Sequence, residues 1–165
     1  MGILSQPNHM MFVCTGNTCR SPMAEYLFRE RIGPETDWTV SSAGVMASDG
    51  QTPSEGSVVA LDELGIDLLP HRSSLLTEDR VDDASMIVVM TAAHMQMTVS
   101  AFPNAEGKIW LLNSFSEGVR FQDVSDPIGR PIEAYRATRD IIDGAIADLI
   151  LYLRDQGQLS PKTTS

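Results

Sequence analysis

The chain has 165 residues, 42% of them hydrophobic, and 22 acidic against 12 basic side chains give a formal net charge of −10. That length and apolar content suit one domain with a real core, and the charge argues against general nucleic-acid or anionic-membrane binding. No apolar run approaches the roughly 20 residues that cross a bilayer, and two cysteines within one loop make no disulfide framework.

Residues 1–9 are expected to be a native tail or an expression remnant, 10–156 a single domain, and 157–165 a C-terminal tail. Met10 to Val13 reads as a buried strand. Ser21 reads as the N-cap and Pro22 as the first residue of a helix that Gly33-Pro34 stops. "WTVSSAG" (38–44) reads as a second strand. "TPSE" (52–55) fits a capping box for a helix with the stripe Val58, Leu61 and Leu64 and a left-handed exit at Gly65. Glu78-Asp79 reads as a helix start and Asp82-Asp83 as a solvated face. "SMIVVM" (85–90) is continuous enough to be covered on both faces. Thr91 is expected to cap a short helix ending before Pro103, and "KIWLL" (108–112) to be a strand. Met86, Met90, Met95 and Met97 read as core. The loop "SEGVRFQDVSDPIGR" (116–130) precedes an amphipathic helix, 131–156, with the stripe Ile132, Tyr135, Ile142, Ile146, Leu149 and Leu153.

Alternating strands and helices imply the α/β class, a three-layer sandwich around a four-stranded parallel sheet. Ligands in such folds sit beyond the C-terminal ends of the strands. The stretch "VCTGNTCRSP" lies at such an end, between a strand and a helix N-terminus.

That stretch reads as a phosphate site. Backbone N–H groups of Thr15, Gly16, Asn17, Thr18 and Cys19 can converge on one anion with help from the helix dipole. Gly16 is expected to let the backbone turn without a Cβ clash, and Asn17 to tolerate left-handed geometry. Arg20 offers a planar fork to two phosphate oxygens. The same positive field favours negative charge on Cys14, which makes it a nucleophile for phosphorus. Ser21 can donate its hydroxyl to that sulfur. The leaving group then needs a proton, and Asp126 in "SDPIG" is the candidate general acid, with Pro127 stiffening the turn and Gly129 permitting it. The same carboxylate can later activate water. Asp123 is the rival acid, without a rigid turn around it.

"VCTGNTCRSPMAE" with a late Asp-Pro resembles the signature of low-molecular-weight protein phosphatases, over about Met10 to Gln156. The resemblance implies Cys14 as nucleophile, Arg20 as phosphate binder and Asp126 as general acid and base. It also implies a hydrogen-bond network of Asn17, Ser21, Ser42 and His71 that holds the loop. "CTGNTCRS" is similar to the protein-arginine phosphatases of bacteria. Tyrosine-specific members usually carry a bulky aliphatic residue at Thr18 and aromatics after the Asp-Pro, where this chain has Ile128. Thr18 and Ile128 are therefore the expected specificity residues. The expected reaction is phosphoarginine hydrolysis through a phosphocysteine, with phosphotyrosine hydrolysis as the alternative.

Other readings rank lower. An arsenate-reductase relay needs further cysteines downstream, and none follows Cys19. A phosphopeptide-binding module could dispense with Cys14 or Asp126, yet both are present. Cys19 can trap an oxidised Cys14 as a disulfide, or simply be a small buried hydrophobe. His9 and His94 have no nearby ligand set, so no metal and no cofactor are expected. Phosphorylated proteins are the expected partners, without nucleic acid or membrane. "MGILSQPNHM" has no signal-peptide pattern, and a reducing cytoplasm is the expected location. The oligomeric state is left open.

Overall fold

Four apolar runs pair side by side into one sheet. They are β1 (His9–Cys14), β2 (Thr39–Gly44), β3 (Met86–Val89) and β4 (Ile109–Leu111). All pairings are parallel, in the order β2-β1-β3-β4. The computed structural model describes residues 8–119 and 122–160. Positions 1–7, 161–165 and two residues of the 116–130 loop lie outside the described residues.

Among the described residues, five α-helices flank the sheet: α1 (Arg20–Ile32), α2 (Glu55–Asp62), α3 (Glu78–Asp83), α4 (Ala92–Ala101) and α5 (Ile132–Asp155). Alternate residues of β1 face opposite layers, as strand geometry requires. Met10, Phe12 and Cys14 pack with Met23, Leu27 and Phe28 of α1 and with Ile142, Ile146 and Leu149 of α5. Met11 and Val13 pack with Ile87 and Val89, with Val81 of α3, and with Met95 and Val99 of α4. Burial on both faces explains why β1 and β3 read as unbroken apolar runs.

The order in which strands are added reverses between β1 and β3: β2 lies on one side of β1, whereas β3 and β4 lie on the other. The loop after β1, the N-terminus of α4 after β3, and the Asp-Pro segment all open at this switch point, where open α/β sheets bind ligands.

Several expectations need correction. Ser21 does not cap α1; the helix begins at Arg20 with Cys19 at the cap position and no side-chain cap bond. The capping box at 52–55 does not form: Ser54 precedes α2 and makes no cap bond. Helix α2 ends at Asp62, which leaves Leu64 exposed. Met97 is exposed and Met95 only half-buried, whereas Met86 and Met90 are core. Thr91 does cap α4, accepting from His94 N at 3.1 Å. The packed unit passes the expected 10–156 bounds: His9 opens β1, Leu159 is buried, and Trp38 Nε1 donates to Gln158 O at 2.8 Å.

Candidate active site

Cys14 ends β1 with its side chain buried, and the chain then turns through Thr15–Cys19 into α1. The turn is held from outside by its carbonyls. Those of Cys14 and Thr15 accept from Val45 N and Met46 N at 3.0 and 2.9 Å, and that of Thr18 from Ser54 N at 2.9 Å. Asn17 O meets His71 Nε2 at 2.8 Å. The amides of Thr15 to Cys19, by contrast, donate to no acceptor among the described residues. Carbonyls engaged by the scaffold and amides left over are the arrangement an anion nest requires.

Asn17 has φ 57°, the left-handed geometry expected of it, and is fully buried. Its Nδ2 donates to Ser21 Oγ at 2.8 Å and Ser42 Oγ at 2.9 Å, and its Oδ1 accepts from Ser74 N at 2.9 Å. Ser21 Oγ lies 2.8 Å from Cys14 Sγ. Because Ser21 accepts from Asn17, its own hydrogen can go to the sulfur, with the Ala43 carbonyl at 3.4 Å as the longer alternative. Ser42 likewise accepts from Asn17 and donates to Glu25 Oε1 at 2.6 Å. Glu25 is buried, 8% exposed, and its other oxygen accepts from Arg29 Nη2 at 2.6 Å. His71 Nδ1 lies 3.9 Å from Glu25 Oε1. The structure thus brings Asn17, Ser21, Ser42 and His71 together and adds Glu25, which sequence reasoning missed. Its only local signal was an acid four residues after Ser21, one helical turn along the same face.

Gly16 corrects the sequence reading. A Cβ there would meet nothing nearer than Thr18 Oγ1 at 4.0 Å. The glycine that the loop needs is Gly44, at the end of β2. A Cβ on Gly44 would overlap the Thr15 carbonyl oxygen and stand 2.9 Å from Asn17 N.

Arg20 is 5% exposed. Its Nη1 donates to Val124 O at 2.9 Å, and its Nη2 to Thr15 Oγ1 at 3.4 Å. Asp126 Oδ2 lies 3.5 Å from the same Nη2. Arg20 Nε is buried without an acceptor among the described residues. A phosphoryl oxygen would satisfy that donor.

The two candidate acids separate cleanly. Asp123 Oδ1 accepts from Ala92 N at 2.8 Å at the start of α4, so its carboxylate is used in the scaffold. Asp126 Oδ1 accepts from Ile128 N at 3.0 Å, and its side chain is 44% exposed beside Arg20. Val124 N donates to Met90 O at 2.9 Å and ties the segment to the end of β3. Cys14, Thr15, Gly16, Thr18, Cys19, Arg20, Asp126 and Ile128 line one cleft of about 140 Å³. Ile128 stands at its rim, 60% exposed.

Cys19 also lines the cleft and is buried, and both cysteines are free thiols. Cys19 Sγ meets Ser54 Oγ at 2.6 Å, so the residue that precedes α2 turns its hydroxyl to this sulfur rather than to the helix. Burial, followed by the neighbouring Cys19, pushes the Tyr135 phenol up from its ordinary value. His94 is also at the site, 2.8 Å from Thr15 Oγ1 through Nε2. Burial, then the Arg20 charge, pushes its imidazole down to about 4. Sequence reasoning gave His94 no task, because its partner comes from another element.

No group of three or more His, Cys, Asp or Glu side chains among the described residues could hold a metal ion. No helix among them is long and apolar enough to cross a membrane.

Residues 9–159 match a family described as low molecular weight phosphotyrosine protein phosphatase. The chain is 43% identical over 140 residues to a protein-arginine-phosphatase of Geobacillus stearothermophilus, covering 85% of this chain and 92% of that one. A solved structure of the arginine phosphatase from that bacterium superposes with a TM-score of 0.84 at 41% identity, covering 91% of this chain and 95% of that one. An arginine phosphatase mutant with a phosphorylated active-site serine superposes with a TM-score of 0.84 at 39% identity, covering 92% and 99%.

Proposed function

The chain belongs to the low molecular weight phosphotyrosine protein phosphatase family, and from that premise we propose that it hydrolyses phosphoarginine on proteins through a phosphocysteine intermediate. The observation that carries this reading is the common cleft of Cys14, Thr18, Arg20 and Asp126, floored by amides with no acceptor among the described residues. In the first step the Cys14 thiolate attacks phosphorus. The S–P bond forms, the P–N bond breaks, and protonated Asp126 gives its proton to the departing guanidine nitrogen. A guanidine anion is a very poor leaving group, so this proton matters more than for a phenol. In the second step Asp126, now a carboxylate, takes a proton from water that attacks phosphorus. The S–P bond breaks, phosphate leaves, and the Ser21 hydroxyl donates to the returning thiolate. Arg20 and the loop amides hold the equatorial oxygens throughout. The phosphorylated active-site serine in a similar enzyme's mutant supports a phosphoenzyme.

The preference for arginine rests on the cleft wall. Thr18 Oγ1 and the Asp126 carboxylate can accept guanidinium N–H groups, and the aliphatic Ile128 gives a phenyl ring no aromatic face. A 43% identical relative that bears the arginine-phosphatase name supports the same choice. Assays of purified protein on matched phosphoarginine and phosphotyrosine peptides test it, with 32P-labelled substrate to trap the intermediate. The expected result is a higher kcat/KM for phosphoarginine and label on Cys14. A preference for phosphotyrosine would overturn the specificity, and turnover without label on Cys14 would overturn the mechanism.

Redox control fits the same loop. Peroxide would oxidise the Cys14 thiolate to a sulfenic acid, and the Cys19 thiol would condense with it, forming the disulfide and releasing water. Activity lost to peroxide should return with dithiothreitol in the wild type and not in Cys19→Ala. Equal recovery in both would remove the role. A thiol nucleophile of this kind suits a reducing compartment such as the cytoplasm, which cell fractionation checks.

A further inference from the structure

His94 is 4% exposed in the first turn of α4, with no part in the chemistry above. Its Nε2 lies 2.8 Å from Thr15 Oγ1, and that same oxygen accepts from Arg20 Nη2 at 3.4 Å. Its Nδ1 is buried with no partner among the described residues. With its proton affinity pushed down to about 4, the ring is neutral near pH 7 and carries one N–H. A buried N–H without an acceptor is rarer than a bare acceptor atom, which puts the hydrogen on Nε2, facing Thr15.

We propose that His94 is a positioning residue for phosphoryl binding: its Nε2–H donates to Thr15 Oγ1 and fixes the hydroxyl that steadies the Arg20 guanidinium. Arg20 is then held from two sides, by Val124 O at 2.9 Å on Nη1 and by Thr15 on Nη2. With both lone pairs of Thr15 engaged, its hydroxyl hydrogen can be donated into the cleft, which Thr15 lines. Guanidinium placement matters most when the three phosphoryl oxygens become coplanar in the transition state. Loss of His94 therefore weakens binding of a trigonal-bipyramidal mimic more than that of tetrahedral phosphate. The inference rests on the reading of Arg20 as the phosphoryl binder.

Inhibition by orthovanadate and by inorganic phosphate separates this role from simple support of α4. His94→Phe, which keeps the ring volume and loses the donor, should weaken vanadate inhibition roughly five- to tenfold and change phosphate inhibition less. His94→Gln, which can present an N–H at the same place, should restore most of the vanadate affinity. Thr15→Val, which removes the hydroxyl itself, should lose at least as much as His94→Phe, and the double variant should be no worse than Thr15→Val alone. Additive losses, a glutamine variant as weak as the phenylalanine one, or equal losses for both anions would overturn the proposal. If His94→Phe does not fold, the glutamine exchange in wild-type and Thr15→Val backgrounds decides: loss of vanadate selectivity only in Thr15→Val supports the relay, and its retention there overturns it. Arg20→Lys is the control. Unchanged vanadate binding in that variant sinks the Arg20 reading, whereas sensitivity to Arg20 without sensitivity to His94 sinks only this one.

Discussion

Thr18 is the residue proposed to set substrate choice. Its hydroxyl lines the cleft with Asp126 and can accept from a guanidinium there. Thr18→Ile should move the phosphoarginine-to-phosphotyrosine ratio of kcat/KM toward phosphotyrosine by roughly tenfold or more, since a lost polar partner is costly and an added methyl group favours a phenyl ring. An unchanged ratio in paired assays would show that Thr18 does not select. His94 gives a pH prediction. In the unfolded chain it takes a proton near 6.5, and in the fold only near 4, because burial and Arg20 oppose the charge more than Asp123 and Asp126 favour it. Between those values the unfolded state binds more protons. The stability that the neutral ring contributes is therefore complete above about pH 6.5 and fades as pH falls toward 4, by at most about 3 kcal/mol. Urea unfolding from pH 4 to 7 should show a shallower pH slope in His94→Gln than in wild type. Burial lowers His9 in the same direction, but it is present in both proteins and cancels. Identical slopes would mean that His94 is protonated equally in both states. Cys14, Asn17, Arg20 and Ser21 were legible as candidates in the sequence because they lie in one contiguous loop. Glu25 and His94 were not, because Ser42 and Thr15, which give them meaning, reach them only in the fold.

Elements meet at the loop, and Gly44 is a tight junction there. The end of β2 passes so close beneath Thr15 and Asn17 that no Cβ fits. Gly44→Ala should cost about 1–3 kcal/mol in urea unfolding and lower kcat/KM, because the loop amides must shift with the backbone. Gly16→Ala, with free space around its Cβ, should leave stability nearly unchanged. Equal destabilisation by the two variants would refute this assignment of the crowded position. Helix starts show the same logic. Local rules assigned Ser21 and the 52–55 box to capping, because those rules see only neighbouring N–H groups. In the fold Ser21 faces Cys14 and Ser54 faces Cys19. Where no such rival exists, at Thr91, the cap forms as expected.

Across the whole molecule, a net charge of −10 repels the phosphorylated peptides that the site is proposed to take. Capture then depends on Arg20 and the loop amides at short range, while the long-range field opposes approach. Raising ionic strength from about 0.01 to 0.15 M shortens the screening length from about 30 to 8 Å, so kcat/KM for a phosphopeptide should rise about two- to threefold. A fall over that range would mean that the cleft's own positive field governs encounter. The sequence by itself determined the α/β class and the element order, and it pointed to Cys14 and its loop as the proposed nucleophile and phosphate site, because apolar periodicity and a contiguous loop are local properties of a chain. Tertiary structure alone decided that Asp123 holds α4 while Asp126 faces the cleft, that Gly44 rather than Gly16 is sterically required, and that Glu25 and His94 back the loop. The physical reason is that each of these depends on a distance between atoms from different elements, which only packing sets.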